Sequence, residues 1–156
     1  RNNLLKISIV LCFSVLFLSF GLKAKRVSAN SGGPPASRTG APGEQTCAIS
    51  GCHTGRTINS GGGALTVTGV PTNYTPNQEV DITVTLIQAG RIRFGFEATV
   101  IDDQGRAAGT LSITESGRTQ LISNPVGGNL RQYIQHSFNG TSANGGSNQG
   151  RWTFHW

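Results

Sequence analysis

Cys47, Cys52 and His53 are the residues whose types and spacing could do chemistry together. Two thiols followed directly by an imidazole is the local pattern of covalent c-type haem attachment. Each thiol adds to one haem vinyl group, and the adjacent histidine binds the iron from one face. The usual spacing puts two residues between the cysteines; here there are four, Ala48 to Gly51. Two other chemistries use the same residues. An exported chain could oxidise Cys47 and Cys52 to a local disulfide, although that leaves the position of His53 without a reason. A copper or zinc site could use Cys47, Cys52 and His53, with a fourth partner such as His136.

On the haem reading, Cys47 and Cys52 anchor haem c and His53 is the proximal ligand. The iron then needs a second axial ligand or keeps an open site, which would suit ligand sensing or peroxide chemistry. The chain has no methionine, so a second ligand would come from His136, from His155 or from a neighbouring subunit. Alternation along residues 131–138 puts Tyr133, Gln135 and Ser137 on one face and His136 with Ile134 and Phe138 on the more apolar one. Apolar neighbours favour the neutral, ligating form of an imidazole, so His136 is the expected distal ligand and His155 the second choice. Bis-histidine ligation leaves no iron position for a substrate and suits low-potential electron transfer. No serine, carboxylate pair or base forms a catalytic arrangement, and the loop 145–150 lacks the Lys-Ser/Thr ending and following helix of a phosphate cradle. The chain is expected not to be an enzyme.

The elements that must position these residues follow from composition. Arg1 and Lys6 precede an apolar run over 7–22, and Val27-Ser28-Ala29 offers small residues ahead of Asn30. This is the layout of a secretory signal peptide, with an uncleaved anchor as the alternative. Five of the 13 basic residues lie in this leader. Residues 30–156 keep eight arginines and seven acids, a formal charge of +1. A nucleic-acid footprint needs a clustered basic surface, and nucleic acid is therefore dropped as a partner. Membrane contact is expected only through the leader. The absence of methionine at the start and the stop within a strand pattern at Trp156 read as a fragment, truncated at its C-terminus.

Residues 30–63 are rich in Gly, Pro, Ser and Thr. They bury too little apolar surface to offset their own ordering entropy, so a cofactor is expected to supply the missing core. From Ala64 the pattern is β. Strands are expected over 64–70, 79–87, 91–101, 107–114, 119–123, 132–138 and 150–156, with turn chemistry at 71–77 and 102–105. Short alternating strands with Gly, Asn and Pro turns predict an all-β, antiparallel immunoglobulin-like or reeler β-sandwich over 64–156, preceded by the irregular haem-motif segment.

The run 31–44, the Thr46-Cys47 and Gly51-Cys52-His53-Thr54-Gly55 pairing, Gly95-Phe96-Glu97, Tyr133–Ser137 and Trp152–Trp156 resemble bacterial secreted proteins with a choice-of-anchor V or reelin-like domain. The resemblance spans nearly all of residues 31–156. It implies an exported, surface-associated protein with a haem-motif segment ahead of a β-sandwich. It further implies that the wider cysteine spacing is tolerated and that His136 belongs to the matching strand. The expected function is electron transfer at the cell surface or in the periplasm by a monohaem c-type cytochrome-like protein. Its partner would be a redox protein or copies of itself, as a homo-oligomer or filament. The alternative is an extracellular adhesion module with a Cys47–Cys52 disulfide and no haem.

Overall fold

The structure is a computed structural model that describes residues 30–49, 52–53, 57–146 and 148–156. The expected leader therefore lies outside the described residues. Among the described residues, seven strands build two antiparallel sheets: β1 (Ala64–Thr68), β2 (Asp81–Ile87), β3 (Glu97–Ala98), β4 (Ser112–Ile113), β5 (Thr119–Val126), β6 (Asn129–His136) and β7 (Gln149–His155). One sheet runs β1-β2-β7-β4 and the other β3-β6-β5. Helix is limited to two single 3₁₀ turns among the described residues, at Asn139–Thr141 and Asn144–Gly146.

Alternation explains the core. Ile82 and Val84 from β2 and Trp152 and Phe154 from β7 point inward, where they meet Phe96, Leu111 and Ile134. Phe96 stacks on Trp152 with ring centroids 4.6 Å apart. The buried indole N–H of Trp152 donates to the Gly140 carbonyl at 2.9 Å, as a buried tryptophan requires. Leu65 and Val67 of β1 pair with Leu86 and Val84 and so share their face. Both nevertheless stay exposed, because the smaller sheet does not reach over this edge strand.

Besides the expected strand 107–114, of which only Ser112–Ile113 is formed, three elements differ from the sequence expectation. The run 91–101 is not one strand. Arg93 bridges to Ser142, Glu97 and Ala98 pair with β6, and Ile101 bridges to Ala107. The segment thus changes partners twice, and its inward alternation holds for Phe96, Ala98 and Val100 while Ile92 faces solvent. Strands β5 and β6 are longer than expected and form one hairpin, closed by Gly127-Gly128. Both glycines have positive φ (57° and 84°), the backbone that two-residue hairpin loops demand. Pro125 is tolerated because β5 is an edge strand.

The third difference concerns β6, which is buried on both faces. Ile134 faces the core, whereas Arg131, Tyr133 and Gln135 are covered on the opposite face. Their cover is the segment after Asn30. Glu44 accepts from Arg131 at 2.6 Å and from the Tyr133 hydroxyl at 2.7 Å, and Thr39 donates to its second oxygen. Ser37 donates to Tyr133 at 3.1 Å, Asn124 to Ser37 at 3.0 Å, and Arg131 to the Pro42 carbonyl at 2.9 Å. The Arg131 and Glu44 side chains are 4% and 0% exposed. The segment is therefore held by a buried polar network rather than by apolar burial, a route that counting hydrophobic residues misses.

Candidate functional site

Two backbone bonds tie Cys52 and His53 back to the residues around Cys47. The Cys52 N–H donates to Ile49 at 3.1 Å, and the His53 N–H donates to the Cys47 carbonyl at 3.2 Å. These bonds bring the two thiols and the imidazole to one side of the segment pinned by Glu44. Both thiols are free. Burial pushes the Cys47 thiol upward in pKa, assisted by the nearby Glu97 and Cys52 and opposed by Arg38, which favours the protonated thiol.

His136 reaches the same place from the end of β6. It is 7% exposed, and its ring stands over Gly95, where a β-carbon would lie 2.6 Å from His136 Cε1. A cavity of about 190 Å³ is lined by Cys47, Cys52, His53, His136, Arg38 and Phe96, among others. A second cavity of about 180 Å³ shares Asn30, His53, Gly95 and His136 with it and adds Arg93, Phe94 and Thr141. Cys47, Cys52, His53 and His136, each singled out from sequence, thus line one cavity. His155 lines neither cavity. It sits on β7 opposite Asp81, with its Nδ1 2.6 Å from Asp81 Oδ1.

The hydrogen bonds of His136 define its ligating potential. The Phe96 N–H points at Nδ1 from 3.0 Å, the Phe96 carbonyl also lies 3.0 Å from Nδ1, and the Asn30 carbonyl lies 3.2 Å from Nε2. A neutral imidazole donates from one nitrogen and accepts at the other. It can accept from Phe96 N–H and donate to Asn30, or donate from Nδ1 to the Phe96 carbonyl and leave Nε2 free.

Sequence reasoning missed Arg38, Gly95, Glu97 and Asn30. Arg38 lines the first cavity and its Nε is buried without a partner. Glu97 accepts from the Arg38 N–H at 2.6 Å while its other oxygen is buried and unpartnered. Burial raises its pKa to about 7, and repulsion from Glu44 adds to this; the Arg38 N–H and the Arg38 charge pull the other way. No local signal in the sequence links these residues to the cysteines, because the segment-to-sheet docking brings them together.

The donor set fits a c-type haem: two thiols, two imidazoles, apolar walls at Pro34, Pro35 and Phe96, and an unpartnered arginine nitrogen of the charge that a propionate requires. Cofactor pockets usually run to several hundred Å³, more than either cavity alone offers; the two share Asn30, His53, Gly95 and His136 in their walls. A small-ion site fits less well. Among the described residues, no group of three or more His, Cys, Asp or Glu side chains is arranged to hold a metal ion. Comparison of the chain with protein-family models, with curated proteins and with solved structures found no match.

Proposed function

We propose that this protein is an exported monohaem c-type electron carrier. The observation that carries this reading is the convergence of Cys47, Cys52, His53 and His136, from a loop and a distant strand, on one cavity. In this reading Cys47 and Cys52 would hold haem through thioether bonds, and His53 and His136 would ligate its iron. When bound, haem supplies a one-electron iron couple. The chain supplies the rest. Phe96, stacked on Trp152, ties the cavity wall to the core. The Phe96 carbonyl orients the His136 ring through Nδ1, as second-shell carbonyls do for ligating histidines. Arg38 offers a cation to a propionate. Ligation by both His53 and His136 would favour electron transfer over substrate chemistry.

The resemblance to secreted choice-of-anchor V and reelin-like proteins supports an immunoglobulin-like or reeler type for the sandwich and a cell-surface or periplasmic location, with a redox protein or further copies of the chain as partner. Among the described residues no helix is long and apolar enough to cross a membrane.

The test is expression with haem-maturation machinery, followed by a reduced-minus-oxidised visible spectrum and a haem stain after denaturing electrophoresis. Retained stain with a low-spin c-type spectrum is expected. Protein that matures fully yet carries no stain overturns the proposal. One feature favours a second reading, an adhesive sandwich. A cleft of about 550 Å³ at the far end is lined by Tyr74, Trp156, Asn77, Gln78, Glu79 and Asp102, the mixture of aromatic face and polar groups that suits a carbohydrate. Retention on an insoluble polysaccharide that is lost in Tyr74→Ala, in protein without haem, would support it.

A further inference from the structure

We propose that Asn30 is a removable cap on the ligating nitrogen of His136, and that the turn it belongs to is the lid of the cavity. The inference rests on the haem reading above and adds how the site is kept and opened.

Three observations carry it. First, the Asn30 carbonyl faces His136 Nε2 at 3.2 Å while also accepting from the Gly33 N–H at 3.1 Å. With Phe96 N–H aimed at Nδ1, the ring satisfies both nitrogens only as the Nε2–H tautomer, which presents no lone pair to a metal. Second, Asn30 lines both cavities. The same residue therefore covers the nitrogen and borders both spaces, as His53, Gly95 and His136 also do. Third, the turn is seated by contact too close for any side chain. A β-carbon on Gly33, whose φ is +110°, would fall 2.2 Å from Gln120 Nε2 and 2.7 Å from Gln135 Nε2. Gln120 in turn donates to the Gly32 carbonyl and to the His136 carbonyl.

Opening is a tautomer exchange. Asn30 withdraws, the proton on Nε2 leaves to solvent, and a proton from solvent reaches Nδ1, which now donates to the Phe96 carbonyl. No net proton is taken up, no electron moves, and Nε2 is left with its lone pair facing the cavity. The Phe96 backbone serves both states, first as donor through N–H and then as acceptor through C=O. That dual role is why the ring need not rotate. A single neutral hydrogen bond is worth a factor of about five to ten in population, so the lid holds the closed state without locking it.

The test is long-range ¹⁵N–¹H NMR of the histidine rings in the haem-free protein. Wild type is expected to show His136 as the Nε2–H tautomer. Gly33→Ala, which unseats the turn, is expected to shift the population toward Nδ1–H by about fivefold. Gln120→Ala loosens the same turn without altering its backbone and should act in the same direction. Amide spectra of Tyr133 and Arg131 report that the fold is intact. In haem-loaded protein, external imidazole should displace His136 less readily in both variants, because the released Nε2 no longer has a well-seated Asn30 carbonyl to return to. A wild-type ring found as Nδ1–H, or an Nε2–H population unmoved in both variants, overturns the cap. If the tautomer shifts as expected but no variant retains haem stain, the cap stands and the haem reading fails.

Discussion

At the residue scale, the site is decided by which atoms each side chain has left over. His136 spends Nδ1 on Phe96 and keeps Nε2 toward the cavity. In haem-loaded protein, His136→Ala is expected to convert the low-spin spectrum to a high-spin or mixed one, whereas His155→Ala leaves it unchanged, since His155 faces Asp81 and lines neither cavity. Visible absorbance of the two variants checks this. Glu97 makes a prediction of the opposite kind. Burial, the largest cause, raises its pKa from 4.5 to about 7. Between those values the folded state holds a proton that the unfolded state has lost, so this group's contribution to stability falls as pH rises from about 4.5 to about 7. Glu97→Gln removes that loss. Its melting temperature relative to wild type should be near parity at pH 4 and clearly higher at pH 8.

At the element scale, the segment 30–49 is attached to β6 through Glu44. Burial alone would raise the pKa of Glu44. The hydrogen bonds from Thr39, Tyr133 and Arg131 and the Arg131 charge outweigh it, so the value is lowered. A depressed folded pKa contributes stability that is present above the unfolded carboxylate value and is lost as pH falls through the folded one. The segment should therefore loosen below about pH 4.5, seen as faster proteolysis between Arg38 and Cys47 while the sandwich stays folded. Glu44→Ala leaves the buried Arg131 guanidinium uncompensated, a loss of about 3–5 kcal/mol, measurable by urea denaturation. Tyr133→Phe, which removes one bond to the same carboxylate, should cost about 1 kcal/mol.

At the scale of the whole molecule, packing and charge are distributed unevenly. The core is centred on Trp152, which is fully buried, so Trp152→Ala should destabilise the sandwich by about 3–5 kcal/mol. Charge separates toward the two ends. Glu79 and Asp102 line the Trp156 cleft, Asp81 stands opposite the neighbouring His155, and Arg106 pairs with Asp102. At the other end the guanidinium groups of Arg93 and Arg118 bond Thr141 and Asn144, with Glu115 beside Arg118. Strand β2 separates the two ends by about 20 Å. Because Arg93 lines the second cavity, the reduced, loaded protein should be oxidised faster by anionic hexacyanoferrate(III) than by a cationic cobalt(III) complex of similar potential. Raising ionic strength toward 0.15 M should narrow the difference, and Arg93→Gln should diminish it in stopped-flow measurements.

Much of this protein follows from local rules in its sequence. The Cys47, Cys52 and His53 pattern is a matter of residue type and spacing, and the all-β character follows from alternation that puts Ile82, Val84, Trp152 and Phe154 inward. The hairpin was also within reach, since Gly127-Gly128 supplies the positive φ its loop needs, although the sequence reading ends the first strand at Ser123. What local rules could not supply is anything that depends on two distant segments meeting. Alternation assigns Tyr133 and Gln135 to a solvent face, but Glu44 and Ser37 cover them through polar bonds that carry no hydrophobic period. The same docking sets Asn30 against His136 and Arg38 against Glu97. The sequence by itself determined the reactive groups and the all-β character. Only the tertiary structure decided that four of those groups share a cavity, that His136 rather than His155 faces it, and that a backbone carbonyl lies on His136 Nε2. Periodicity reports a strand's own two faces; it holds no information about which polar segment comes to lie on them.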